Sequence, residues 1–129
     1  MAKIKKRTFA IIVPKNRREF REERGLNEVC ESEVLEAFRG FLAKYNIQDV
    51  FCNIEMGDWQ GKTAEERDHQ LSGSLENVTT RKGYKLVNAL ARHIYNELDT
   101  DCVDVHYKVN SYEDGVWSIN QQGRKREGE

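Results

Sequence analysis

Two segments of the chain repeat apolar residues at helical spacing along a single face, and this feature limits the possible folds most strongly. Residues 28–45 and 80–98 both show this spacing, which predicts two amphipathic helices. The first stripe comprises Val34, Leu35, Phe38, Phe41, Leu42 and Tyr45, and the second comprises Tyr84, Val87, Leu90, Ala91, Ile94 and Leu98. Each stripe has to be buried against another layer of structure, so the remaining segments are expected to supply a sheet.

Four segments have the pattern of strands. Residues 7–13 form a β-branched and aromatic run before Pro14, residues 49–56 alternate between apolar and polar side chains, and residues 102–109 and 115–119 read as a hairpin. The hairpin turn is expected at Glu113–Gly115, and Thr80 is expected to cap the second helix. In the alternation of residues 49–56, Phe51 is predicted to face away from Val50, Cys52, Ile54 and Met56. Residues 57–78 are predicted to be irregular.

The predicted order is strand–helix–strand–helix–strand–strand, with two helices on one face of one sheet. This is an α+β arrangement of the ferredoxin-like or PII-like sandwich type. With 129 residues the chain fits one domain, predicted over residues 1–122, and residues 123–129 are expected to form a frayed tail. Apolar residues are expected on both faces of the strands, at Phe51, Val103, Val105 and Tyr107, and the face that helices leave uncovered suggests contact with another subunit.

Composition excludes several function classes. The chain has 21 basic and 22 acidic residues, and its net charge of −1 gives no general attraction to nucleic acid or to a membrane. The arginine-rich residues 15–25 contain compensating glutamates, which favours a solvated segment over a phosphate-binding one. No apolar run is long enough to span a bilayer, and three cysteines without a C-x-x-C pair fit a cytoplasmic protein with reduced thiols.

Metal and nucleophilic chemistry lack recognisable motifs. His69, His93 and His106 are assigned to a loop, a helix and a strand, with no metal-ligand spacing between them. There is no G-x-S-x-G elbow, no phosphate-binding glycine loop and no cysteine in a reactive context. We therefore expect neither a metal nor an organic cofactor.

The stretch MGDWQGKTAEER, residues 56–67, is the strongest candidate for a functional loop. Trp59 stands between Gly57 and Gly61, and glycine disfavours a regular helix or strand there. A large aromatic residue in such a loop either folds back onto the core or is held out for a ligand. The residues alone leave both alternatives open.

From this loop to the last strand pair, the chain resembles the phage-encoded S-adenosylmethionine lyases, formerly described as hydrolases. In that family a strand leads into a loop with a glutamate four residues after a glycine, and here Gly61 and Glu65 have that spacing. A helix with an acidic end and a D-C-V strand follows, similar to VNALARHIYNELDTDCVDVHY at residues 87–107. The resemblance covers about residues 48–110.

The resemblance implies cleavage of S-adenosylmethionine to 5′-methylthioadenosine and L-homoserine lactone, without cofactor, in a homotrimer with sites between subunits. It implies that Glu65 is the catalytic residue and that Trp59, Gln60 and Gly61 bind substrate. Phe51 is expected to bind substrate where some members use a tyrosine. Tyr45, Tyr84 and Tyr107 are other candidates for the missing phenol. The implied biological effect is to counter host restriction–modification.

Two other functions remain compatible with the sequence. One is a non-catalytic trimeric PII-like module that binds a nucleotide. The other is a small ferredoxin-like domain that binds RNA or a protein, although the chain has no pair of aromatic residues with basic flanks of the RNP type.

Overall fold

The computed structural model describes residues 6–15, 29–58, 68–98, 100, 102–110 and 112–120. They form five strands and two helices: β1 (Arg7–Val13), α1 (Glu31–Tyr45), β2 (Phe51–Asp58), β3 (His69–Leu75), α2 (Thr80–Leu98), β4 (Cys102–Val109) and β5 (Tyr112–Asn120). The segment 16–28 and the predicted tail lie outside the described residues.

The five strands form one antiparallel sheet in the order β2-β3-β1-β4-β5. The first six elements, β1 to β4 with the two helices, follow the ferredoxin-like β-α-β-β-α-β pattern, and β5 extends the edge beside β4. The predicted α+β class, with two helices on one face of one sheet, is therefore confirmed.

The core lies between the helices and one face of the sheet. On β1, Phe9, Ile11 and Val13 face the helices, and on β4 the residues Val103 and Val105 do so in register with them. The two apolar stripes predicted from the sequence supply the helical side, with Val34, Phe41, Val87, Leu90 and Ile94 among the most buried residues. One continuous core thus fixes both helices on the sheet.

Strand β3 was not predicted, and it lies in the segment read as irregular. His69, Leu71, Gly73 and Leu75 follow one another on the face toward the core, while the residues between them are polar. Gly73 is required by packing, because a Cβ there would lie 2.5 Å from Ile54 Cδ1 and 3.0 Å from the Cys52 carbonyl oxygen. Glycine is depleted in strands, so this required glycine concealed the alternation. His69, assigned to a loop, is the first residue of this strand.

The predicted alternation of β2 is wrong because the strand contains a β-bulge. Phe51 pairs with Leu75 and Met56 pairs with Leu71, so both lie on the face toward the core although they are an odd number of positions, five, apart. The register shifts between Cys52 and Glu55, and Asn53 takes a left-handed conformation with φ of 53°. One extra residue in a bulge reverses the facing of all that follow.

Two local predictions at strand and helix ends also need correction. Residues Glu113–Gly115 lie within β5, and the chain turns at Asn110, whose φ is 54°. The side chain that caps α2 belongs to Thr79, whose Oγ1 accepts a hydrogen bond from the Lys82 backbone N–H at 3.1 Å. The predicted positions were therefore each displaced by one to a few residues.

The two faces of the sheet differ more than the sequence indicated. Phe51, Val103, Val105 and Tyr107 all face the helices, so the expectation that they occupy both faces is wrong. The other face, called the outer face below, bears no helix among the described residues. It carries polar side chains, including Thr8, Gln70, Ser72, Asp104, His106, Lys108 and Ser118. These apolar residues therefore give no reason to expect a second subunit.

A buried contact between α2 and β4 yields the first testable prediction. The fully buried Tyr107 hydroxyl donates to the Thr80 carbonyl at 2.9 Å, and a Cβ on Gly83 would overlap that hydroxyl. In the wild type, Gly83→Ala should lower the free energy of unfolding despite the better helix propensity of alanine. In a Tyr107→Phe background the nearest remaining ring atom is 3.4 Å away, so the same change should stabilise by up to about 1 kcal/mol. Urea unfolding of all four proteins measures this, and equal effects in both backgrounds would contradict it.

The same tyrosine gives a pH prediction. Burial raises the pKa of Tyr107, and Arg7 offsets only part of this effect. Because the folded state holds the proton more tightly than the unfolded state, the stability contributed by this group is complete below about pH 10 and is lost as pH rises through the folded-state pKa. The stability advantage of wild type over Tyr107→Phe should therefore shrink as the pH rises above about 10. Urea unfolding across this pH range checks it, and a constant difference would refute it.

Candidate functional site

The predicted functional loop is held between two neighbouring strands. Residues 59–68 connect β2 to β3, and Asp58 at the end of β2 pairs with His69 at the start of β3. The hydrogen-bonded ladder therefore continues up to the point where the loop leaves the sheet. The loop starts and ends at one place, which we call the loop end of the sheet.

His69 occupies the centre of the loop end. It pairs with Asp58 on one side and with Val13 on the other, because β3 lies between β2 and β1. Its Nε2 lies 2.5 Å from the Val29 carbonyl oxygen. A carbonyl only accepts, so Nε2 carries the proton and Nδ1 of the neutral ring is left as an acceptor. Nδ1 is buried without a hydrogen-bond partner among the described residues.

The segment 16–28 also begins and ends beside His69. The Val29 backbone N–H donates to the Lys15 carbonyl, which joins the two points where this segment leaves and re-enters the described chain. Val29 is itself buried, and Cys30 after it leads directly into α1. One histidine thus links the start of β3 to the entry of the first helix.

Three further chain segments meet the sheet at the loop end. Helix α2 ends at Leu98, β4 begins at Cys102, and β5 ends at Asn120 beside the start of β4. Thr100, between α2 and β4, is completely buried, and its Oγ1 has no hydrogen-bond partner in the part of the chain that the structure describes. The topology therefore gathers three of the six connections between elements, together with the end of β5, at one end of the sheet.

Four of the five predicted site residues lie outside the described residues. They are Trp59, Gln60, Gly61 and Glu65. The structure describes Asp58 and Asp68, the residues on either side of segment 59–67 of their loop. Gly57, which precedes Asp58, is exposed. No described atom lies within 4 Å of the position a Cβ would take on Gly57. Packing among the described residues therefore does not require glycine at this position.

The fifth predicted residue, Phe51, lies in the core. Its ring contacts those of Phe9 and Phe38, each with a centroid separation of 5.6 Å, and only 6% of its surface is exposed. It begins β2, whereas the loop follows Asp58, and seven steps of about 3.3 Å separate the two by roughly 23 Å. Phe51 therefore lies at the opposite end of β2 from the point where the loop begins.

The alternative tyrosines also lie at the end of the protomer opposite the loop. Tyr45 ends α1, Tyr84 is in the first turns of α2, and Tyr107 is near the end of β4. Tyr107 uses its hydroxyl within the fold, as described above, whereas Tyr45 and Tyr84 are 52% and 40% exposed. None of these three tyrosines therefore lies at the loop end of the protomer.

Sequence reasoning missed His69 and Thr100 as residues of this end. Neither belongs to a motif, and a polar residue in a short polar segment carries no signal of burial. The alternation of Leu71, Gly73 and Leu75 was the one pattern that places His69 on the inward face. Thr100 gives no such signal, because it stands in the short connection between α2 and β4.

The described residues contain no group of three or more His, Cys, Asp or Glu side chains arranged to hold a metal ion. None of their helices combines the length and apolarity needed to cross a bilayer. The Cys52 thiol has a raised pKa, first because of burial and then because of Glu76, so it is not activated as a nucleophile.

No known protein-family profile matches this sequence, and no curated protein sequence matches it. Solved structures do match. One is a phage SAM lyase in complex with S-methyl-5′-thioadenosine, with a TM-score of 0.65 at 12% identity over 91% of each chain. Another is a phage SAM lyase in the apo state, with a TM-score of 0.65 at 13% identity, covering 95% of this chain and 96% of that one. The chain therefore shares its fold with a phage SAM lyase over nearly its full length.

Proposed function

We propose that this protein is an S-adenosylmethionine lyase that forms 5′-methylthioadenosine and L-homoserine lactone. The observation that carries the proposal is the fold shared with a phage SAM lyase, one of whose structures contains S-methyl-5′-thioadenosine, over 91% of both chains. The loop between β2 and β3 supports it independently, since the Gly61–Glu65 spacing resembles the lyase family there.

The reaction needs little chemistry from the protein. A carboxylate oxygen of the methionine moiety attacks the γ-carbon of the same molecule, the carbon–sulfur bond breaks, and its electron pair stays on sulfur. The negative carboxylate and the positive sulfonium neutralise each other, while the ammonium group is unchanged. No water is consumed and no proton has to be transferred, so the protein accelerates ring closure mainly by holding the reacting atoms together.

In this proposal the loop residues bind and orient the substrate. Glu65 accepts a charge-assisted hydrogen bond from the substrate ammonium and folds the methionine chain toward attack. Trp59 contacts the sulfonium or the adenine through its ring face, and Gln60 and Gly61 complete the contact. Gly57, which packing does not require, lets backbone amides approach the ligand. Phe51 is assigned to the core because of its buried position.

We further propose that the protein acts as a homotrimer with sites between subunits. We assign the contact to the outer face, because no helix among the described residues covers it. Partly enclosed space of about 230 Å³ lies there between Thr8, Gln70, Ser72 and His106. A site between subunits would also allow an exposed phenol of one chain to reach the loop of another. The expected consequence of activity is depletion of the methyl donor on which restriction–modification systems depend.

A pair of adjacent glutamates provides the test. Purified protein incubated with S-adenosylmethionine should form methylthioadenosine and homoserine lactone faster than a protein-free control, as measured by chromatography. Glu65→Gln should lower kcat/KM by about 10- to 150-fold, since a hydrogen bond to a charged group is worth about 1.5–3 kcal/mol. Glu66→Gln changes the charge by the same amount on the neighbouring residue and should retain the wild-type rate.

Equal losses in the two variants would show that loop charge, and not an anchor at Glu65, matters. Binding of methylthioadenosine with no product above the protein-free rate would instead favour a non-catalytic nucleotide-binding module. A monomer in sedimentation experiments would contradict the proposed site between subunits.

A further inference from the structure

Two buried side-chain atoms in the described part of the chain lack hydrogen-bond partners: Nδ1 of His69 and Oγ1 of Thr100. Buried polar atoms in folded proteins are nearly always hydrogen-bonded, and an unsatisfied one destabilises the fold. Both atoms belong to the loop end of the sheet, one at the start of β3 and the other just before β4. Their shared location indicates that this end receives polar groups that the described residues do not supply.

The chemistry of the missing partner at His69 follows from the bond that the ring already makes. Nε2–H donates to the Val29 carbonyl at 2.5 Å, which fixes the ring and its tautomer. Nδ1 therefore offers a lone pair, and only an N–H or O–H donor satisfies it. His69 is only 7% exposed, so bulk water does not readily supply the hydrogen bond that Nδ1 lacks.

We propose that His69 is a ligand-binding residue whose Nδ1 accepts a hydrogen bond from a neutral donor of the nucleoside, either the adenine amino group or a ribose hydroxyl. This inference rests on the proposed function for the identity of the ligand. A neutral imidazole suits a neutral donor, whereas the substrate ammonium is assigned to the carboxylate of Glu65. Thr100 Oγ1, at the same end of the sheet, also lacks a hydrogen-bond partner among the described residues.

Two substitutions separate this role from the structural bond to Val29. In His69→Gln, the amide nitrogen takes the place of Nε2 and keeps the donor to the Val29 carbonyl, but no acceptor remains at Nδ1. In His69→Asn, the amide oxygen takes the place of Nδ1 and keeps the acceptor, but the bond to Val29 is lost. A merely structural histidine would tolerate glutamine better, and a ligand-binding histidine would tolerate asparagine better.

The experiment is calorimetric titration of methylthioadenosine into wild type and both variants, with thermal unfolding of each free protein as the measure of folding. Methylthioadenosine keeps the nucleoside and lacks the ammonium and carboxylate groups. We expect the Kd of His69→Gln to rise about tenfold and that of His69→Asn to stay within about threefold of wild type, although His69→Asn melts at the lower temperature. Unchanged affinity in His69→Gln, or affinity that follows thermal stability, would overturn the proposal.

Nitrogen-15 NMR of the histidine rings gives a second measurement that a structural role would not move. Addition of methylthioadenosine to wild type should shift the Nδ1 resonance of His69 upfield, as expected when an unprotonated ring nitrogen accepts a hydrogen bond. An unchanged resonance would refute the contact. A doubly protonated ring at neutral pH would also refute it, because Nδ1 would then have no lone pair.

The proposed function and this inference fail in distinguishable ways. Turnover of S-adenosylmethionine with equal methylthioadenosine affinity in wild type and His69→Gln would remove the inference alone. Binding that depends on His69, without any turnover, would remove the lyase and leave the binding residue. If wild type binds no methylthioadenosine, the inference is wrong whatever the outcome of the activity assay.

Discussion

The packing of two amphipathic helices on one face of a single antiparallel sheet is the constraint from which the rest of this structure follows. Helix α2 packs over β4, β1 and β5, and α1 packs beside it toward β3, where Phe38 and Phe41 contact Phe51, so the helices lie side by side and the chain has to return to the sheet between them. This arrangement places the end of β1, the start of α1, the β2–β3 connection and the start of β4 at one end. The location of the candidate site is thus a consequence of topology.

Much of the fold was readable from the sequence because burial leaves a periodic pattern. Both helices and the strands β1 and β4 were placed within a few residues of their observed bounds. Strand β3 was missed because close packing around Gly73 requires a residue that strands usually avoid. The facing of Phe51 was wrong because the bulge at Asn53 interrupts the alternation, and a bulge has no reliable signature in a single sequence.

The site was less predictable than the fold, for a physical reason. Residues of a binding loop are chosen for their ligand and leave no periodic pattern, so Glu65 and Trp59 could be proposed from a resemblance and not from spacing. His69 and Thr100 became visible only when burial and hydrogen bonding were known. At 12% identity the structural match shows the fold, and the lyase activity is our proposal.

The central claim is that the substrate cyclises on itself, and the source of oxygen in the product tests this most directly. The purified protein should be supplied with S-adenosylmethionine in ¹⁸O-labelled water, quenched early and analysed by mass spectrometry. The account predicts methylthioadenosine together with homoserine lactone that contains no ¹⁸O. Homoserine with ¹⁸O in its γ-hydroxyl group would show that water attacks the carbon instead, and would contradict the account.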